Sequence, residues 1–208
     1  TVMTFGVAES ALSKMIENWE DGLPSDMHLA YLPNALTGVR LRLSIYGGDK
    51  ADEESRIDCE ISKLKEILGD IIYSECDDTL QNRIGTLLRK SGKTVSAAES
   101  CTGGMISELM TSIPGSSEYY LGSVTSYSNS VKENVLGVPK EIIDVYGAVS
   151  SECVAKMAEG VKRITGSDFS IATSGIAGPD GGSEEKPTGL VWIGVCTPTR
   201  TKTFSFLF

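Results

Sequence analysis

The sequence predicts an α/β protein in two parts: a small α+β domain over residues 1–76, then a three-layer α/β/α domain over residues 77–208. Three observations predict it. Strand and helix patterns alternate along the second part, whereas the first reads helix, strand, strand, helix, strand. The run Val39-Arg40-Leu41-Arg42-Leu43-Ser44-Ile45 alternates cleanly in polarity, as a half-buried strand does. Finally, the acidic stretch Glu75-Cys76-Asp77-Asp78 divides the two patterns. With 208 residues, each part is long enough to bury a core.

Taken in order, Leu12, Met15, Ile16 and Trp19 recur at helical spacing between Ala8 and Glu20, and Gly22-Leu23-Pro24 ends that helix. Met27 to Leu32 is a short strand stopped by Pro33-Asn34. Gly47-Gly48-Asp49 turns the alternating strand. Ile57, Ile61, Leu64 and Leu68 form the apolar stripe of a helix over 52–68, and Ile71-Ile72-Tyr73 is a last short strand. This order gives a three-stranded sheet covered by two helices.

In the second part, Asp78 or Thr79 caps a helix whose apolar positions are Leu80, Ile84, Leu87 and Leu88. Thr94 to Ala97 is a strand, and Met105, Ile106, Leu109 and Met110 share one face of the helix after it. Tyr119 to Tyr127 reads as a strand. Asn129 to Leu136 is a helix capped by Asn129, and residues 139–145 add a turn or two. Ser151 to Ile164 is an amphipathic helix closed by Gly166. Phe169 to Thr173 is a strand followed by a loop over 174–187. Residues 189–196 and 201–207 form a closing pair of strands, with Trp192 in the core.

Composition narrows the function. Hydrophobic residues make up 40% and charged residues 23%, as in ordinary globular proteins. No apolar run is long enough to cross a bilayer, and no signal-peptide pattern opens the chain, whose first residue is Thr1. Five widely spaced cysteines, with no Cys-x-x-Cys pair, argue against a disulfide framework or a zinc site and for a reducing, cytoplasmic setting; they read as buried spectators. The net charge of −9 falls on the first part, with 7 Lys+Arg against 16 Asp+Glu in residues 1–78 and 12 of each thereafter. Such a surface is a poor partner for nucleic acid.

Three loops of the second part follow strands, where α/β proteins collect ligands. The first, Ala98-Glu99-Ser100-Cys101-Thr102-Gly103-Gly104, puts hydroxyls and backbone N–H groups at a helix N-terminus, a setting for an anion or a developing oxyanion. Ser100 there is either a helix cap or a nucleophile. The second is Ser126-Tyr127-Ser128-Asn129-Ser130-Val131-Lys132. With Asn129 as cap, Lys132 lies in the first helical turn, where the dipole disfavours its charge. It is either a solvent-facing lysine or a base for a serine, and the only histidine, His28, lies elsewhere. Tyr127 is either packed beneath it or carries a proton. The third loop, Thr173-Ser174-Gly175-Ile176-Ala177-Gly178-Pro179-Asp180-Gly181-Gly182, can wrap a phosphate with backbone N–H groups or serve as a mobile connection.

Together, these three motifs closely resemble the C-terminal domain of the CinA family, over about residues 79–208. Residues 1–75, with Leu29-Ala30-Tyr31-Leu32-Pro33 and the Val39–Leu43 alternation, resemble the small KH-like middle domain of longer members. They contain no Gly-x-x-Gly clamp, so that likeness is one of fold and not of RNA binding. The resemblance implies a nicotinamide mononucleotide deamidase, an amidohydrolase of pyridine nucleotide salvage that needs no metal or cofactor. It gives Ser100 as nucleophile, Lys132 as general base and Tyr127 as an aid to proton transfer. Substrate contacts fall to Thr102, Gly103, Gly104, Asn129, Ser174, Gly175, Ala177 and Gly178, with Thr102–Gly104 supplying the oxyanion donors. It also implies a homodimer. Longer members carry a further N-terminal domain, an arginine beyond the strand matching Thr201–Phe208 and a final helix, so the chain reads as a fragment. The competing expectation is a catalytically silent nucleotide-binding or assembly domain.

Overall fold

Val39, Leu41 and Leu43 point one way from a strand and are buried, as their alternation predicts. A computed structural model of the chain describes residues 1–35 and 37–208. The backbone forms two units, Thr1–Arg83 and Ile84–Phe208.

The first unit contains β1 (Val2–Thr4), α1 (Glu9–Asp21), β2 (Met27–Asn34), β3 (Gly38–Ile45), α2 (Lys50–Leu68) and β4 (Ile72–Ser74). Its sheet has four strands, in the order β2-β3-β1-β4, not three. The additional strand is β1, too short for polarity to alternate visibly. Its neighbours fix it: Val2 lies opposite Leu41, and Thr4 Oγ1 donates to the Val39 carbonyl at 2.8 Å. β2 also continues through Pro33 to Asn34. It is an edge strand, where a missing N–H costs no ladder bond. Leu12, Ile16 and Trp19 of α1 meet Leu64 and Leu68 of α2 over the sheet. Full burial of a side chain such as Leu12 or Ile16 contributes roughly 2 kcal/mol. Trp19 Nε1 donates to Glu60 Oε2 at 3.0 Å, which gives the indole N–H a partner in that core.

Helix α3 (Leu80–Ser91) leads into the second unit. Its packing differs from the expected stripe, because Ile84 and Leu87 are exposed while Gly85 and Leu88 are buried. The absent side chain explains this: a Cβ on Gly85 would stand 2.5 Å from the Tyr119 hydroxyl, so the tyrosine ring occupies the space the glycine leaves.

The remaining elements are β5 (Val95–Glu99), α4 (Met105–Thr111), β6 (Tyr120–Thr125), α5 (Asn129–Asn134), α6 (Lys140–Tyr146), α7 (Ser151–Thr165), β7 (Phe169–Gly175), β8 (Leu190–Cys196) and β9 (Thr201–Leu207). The sheet order is β6-β5-β7-β8-β9, with the first three strands parallel and the last two antiparallel. One core lies between the sheet and α7, joining Ala98 and Ala172 to Val154, Met157, Ala158 and Val161; Trp192 packs against its margin. The other, built on Leu88, Met110 and Tyr119, lies on the α3 and α4 side. This is the three-layer arrangement. Ser174 and Gly175, expected in a loop, end β7 opposite Trp192 and Val191.

Because β5, β6 and β7 are parallel, their C-terminal ends lie together: Glu99 stands beside both Thr125 and Thr173. The three loops of interest therefore leave the sheet side by side. Among the described residues, no helix is long and apolar enough to cross a membrane. The five cysteines are all free. Only Cys153 and Cys196 are buried; Cys59 and Cys76 are exposed and Cys101 half-buried, because the first two lie on α2 and in the turn after β4, away from either core.

Candidate active site

Ser100 follows β5 directly and remains tied to the sheet, its N–H donating to the Thr173 carbonyl at 3.0 Å. Ser126 follows β6 in the same way, donating its N–H to the Glu99 carbonyl at 2.7 Å. One short helix on, Lys132 turns inward and is 1% exposed. Its Nζ donates to the Ser126 carbonyl at 2.7 Å, to Ser100 Oγ at 3.1 Å and to the Tyr127 carbonyl at 3.3 Å. The hydroxyl and the amine thus meet although 32 positions separate them.

The cap of α5 is Ser128, whose hydroxyl accepts from the Val131 N–H; Asn129 is the first helical residue. Burial penalises the Lys132 ammonium and holds the lysine below its ordinary value of 10.5, against smaller upward contributions from Cys153 and Cys101. Its three hydrogen-bonded acceptors are neutral oxygens, so no carboxylate there offsets the burial.

Glu99 organises the turn after Ser100. It is fully buried, yet its carboxylate accepts from the N–H groups of Gly104 and Ile106 at 3.0 Å, from the Ser107 N–H at 2.9 Å and from the Ser107 hydroxyl at 2.7 Å. Burial alone pushes this carboxyl up. The hydrogen bonds from Ser107, Thr102 and the α4 backbone outweigh it and hold the group below its ordinary 4.5. A depressed folded value means the stabilisation is complete above the unfolded value and is lost as pH falls through the folded one. Glu99→Gln is therefore expected to weaken the second unit by about 2 kcal/mol at pH 7. It also removes the Glu99 share of the stability loss below pH 4.5, measurable by urea unfolding across that range.

The same bonds settle where the backbone donors of this turn are spent. Gly103 N–H goes to the Ser100 carbonyl, Gly104 N–H to Glu99 and Met105 N–H to the Thr102 carbonyl. Among the described residues, the N–H groups of Cys101 and Thr102 donate to no oxygen. Two of the three residues expected to supply oxyanion donors, Gly103 and Gly104, are thus already committed.

A cavity of about 360 Å³ opens over Ser100 and Lys132. Asn129, Tyr127, Ser174, Gly175, Ala177 and Gly178 line it, whereas Thr102, Gly103 and Gly104 do not. Thr102 instead shares a hydroxyl hydrogen bond of 2.8 Å with Thr173. Tyr127 is 80% exposed, and its backbone carbonyl, not its hydroxyl, meets the lysine. One wall went unread in the sequence: Ala148 and Val149, from the turn between α6 and α7. Ser174 Oγ holds that turn by donating to the Ala148 carbonyl at 2.7 Å, a contact no local pattern announces. Cys101 also lines the cavity; burial pushes its thiol up, which disfavours the thiolate beside Ser100.

The two halves of the sequence match two family models, the damage-inducible protein CinA KH domain over residues 1–74 and the CinA C-terminal domain over residues 77–208. The chain belongs to the CinA family. It is 42% identical over 202 residues to a CinA-like protein of Cytophaga hutchinsonii, covering 97% of this chain and 48% of the relative. A CinA-like protein of Flavobacterium psychrophilum is 42% identical over 209 residues, covering 100% of this chain and 50% of the relative. The chain therefore spans about half the length of the curated CinA relatives it matches. Among solved structures, a competence/damage inducible protein from Agrobacterium tumefaciens superposes with a TM-score of 0.61 at 38% identity, covering 62% of this chain and 79% of that one. A competence damage-inducible protein from Klebsiella pneumoniae gives 0.60 at 35% identity, covering 62% and 80%. In this CinA chain the residues around the cavity come from the part matched by the C-terminal family model.

Proposed function

We propose that the second unit is a nicotinamide-nucleotide amidase, converting nicotinamide mononucleotide and water into nicotinate mononucleotide and ammonia. The observation that carries this reading is a buried lysine without a carboxylate partner, 3.1 Å from a serine hydroxyl at the floor of a cavity. A neutral Lys132 accepts the Ser100 proton as Oγ attacks the carboxamide carbon. The developing oxyanion takes the N–H of Cys101, which lines the cavity beside Ser100; a single donor of this kind is worth roughly 3 kcal/mol of barrier. Lys132 returns the proton to the departing amine and ammonia leaves. Water then attacks the acyl-serine, giving one proton to Lys132 that goes back to Ser100 as the acid departs. Tyr127 can assist only after its ring turns inward from the rim. Phosphate binding falls to the loop after β7, where Ala177, Gly178 and Gly181 face the cavity.

Ammonia release from nicotinamide mononucleotide by the chain, compared with Ser100→Ala, tests the reading; equal rates would leave a nucleotide-binding or assembly domain. The pH profile adds a sign. The base is the neutral amine, so kcat/KM is expected to rise with pH through a midpoint below 10.5. A profile that falls as pH rises across the neutral range contradicts Lys132 as base.

A further inference from the structure

The loop between β7 and β8 forms one side of the cavity, yet little holds it. Its base is closed by Ile176 N–H to the Leu190 carbonyl, Gly189 N–H to the Ile176 carbonyl and Leu190 N–H to the Pro187 carbonyl. An internal turn is tied by Ser183 N–H to the Lys186 carbonyl and by Lys186 N–H to Ser183 Oγ. Among the described residues, one side-chain hydrogen bond runs from this loop to another part of the unit: Lys186 Nζ donates to the Tyr146 carbonyl at the end of α6.

That contact is built on both sides. Tyr146 is the last residue of α6, so its carbonyl belongs to the end of a helix where a cation is favoured. Gly147 follows at φ 79°, and a Cβ there would stand 2.8 Å from Lys186 Nζ; the glycine makes room for the ammonium. Two residues beyond Lys186, Thr188 supports the loop's other limb. A Cβ on Gly178 would lie 2.5 Å from Thr188 Cγ2, and one on Gly182 would lie 2.7 Å from Thr188 N and Oγ1. The limb that faces the cavity thus rests on the segment that Lys186 anchors. The anchored turn itself continues into Ala148 and Val149, which also line the cavity.

We propose that Lys186 is a positioning residue. Its ammonium latches the glycine-rich loop to the α6–α7 turn and so sets how tightly the cavity holds a phosphate-bearing pyridine nucleotide. The proposal rests on the amidase reading for its substrate, but the latch can be tested without it. Amide hydrogen exchange of the ligand-free chain is followed for the parent, Lys186→Met and Gly147→Ala, the second of which crowds the ammonium and strains the backbone without removing it. Both variants are expected to speed exchange of the hydrogen-bonded amides of Ser183, residue 186 and Gly189 by roughly tenfold while leaving β5 and α7 unchanged. With nicotinamide mononucleotide, Lys186→Met is expected to raise KM by about tenfold with kcat within about twofold of the parent, the pattern of a lost binding contribution. Unchanged exchange at Ser183, residue 186 and Gly189 in Lys186→Met overturns the latch. Faster exchange with an unchanged KM, or a fall in kcat at constant KM, overturns the positioning role. A parent chain that releases no ammonia defeats the amidase reading, and the exchange result still decides whether Lys186 holds the loop.

Discussion

The double variant Ser100→Ala/Lys132→Met is expected to hydrolyse nicotinamide mononucleotide no more slowly than either single variant, each reduced by roughly 10⁴-fold. The reason is geometric. A serine hydroxyl at neutral pH is a weak nucleophile until a base removes its proton, and Lys132 Nζ is the basic nitrogen at hydrogen-bond distance from Ser100 Oγ. Removing either partner ends the same step, so the second loss has nothing left to remove. Independent contributions would multiply instead, giving about 10⁸-fold by the same arithmetic. Steady-state ammonia release from the four proteins separates the two outcomes. Folding is expected to change little in Lys132→Met. Methionine fills most of the lysine's volume and buries no polar nitrogen, which offsets the hydrogen bond withdrawn from the Ser126 carbonyl. A large drop in melting temperature would show that the lysine is held charged and serves as structural glue.

Gly160→Ala is expected to destabilise the second unit by about 3 kcal/mol. On the C-terminal half of α7 an added Cβ would lie 2.1 Å from the Leu136 carbonyl oxygen and 2.9 Å from its carbon. These are backbone atoms that cannot swing aside, so the helix or the 135–138 segment must move. At a few degrees per kcal/mol for a unit of this size, the melting temperature should fall by roughly 6–12 °C. The strain reaches the site, because the displaced segment follows α5 and is bound to it: Val138 N–H donates to the Lys132 carbonyl at 3.0 Å. Differential scanning calorimetry checks the first effect, and kcat measured well below the melting transition checks the second. An alanine variant as stable as the parent would mean that α7 sits further from this segment.

How much of this the sequence displayed depends on the range over which each contact acts. The three loops were legible because strand ends and glycine clusters are local signals, and parallel strands bring such ends together. Local patterns place Ser100, Lys132 and Gly178 on those three loops while leaving open whether each is a cap, a surface group or part of a site, and the structure brings all three to one cavity. What local patterns could not show is where each polar group is spent. Glu99 takes the Gly104 N–H that the turn seemed to offer, through a side chain five positions earlier in the chain. The cap of α5 moved from Asn129 to Ser128, two residue types that cap equally well. Tyr127 turned its ring outward and its carbonyl inward, a choice fixed by tertiary packing. The Ala148–Val149 wall and the Val2–Thr4 strand rest on partners far away in sequence. Gly85 broke the apparent stripe of α3 by accepting an aromatic ring that helical periodicity does not see.

The Ser126 amide and carbonyl have an effect beyond hydrogen bonding. By its N–H this residue hangs on β5, and by its carbonyl it holds the lysine, so the proposed nucleophile and base are mounted on neighbouring strands of one sheet. Under the proposed mechanism, warming is expected to weaken substrate capture well before it separates Ser100 Oγ from Lys132 Nζ, which part company only when the central strands themselves come undone.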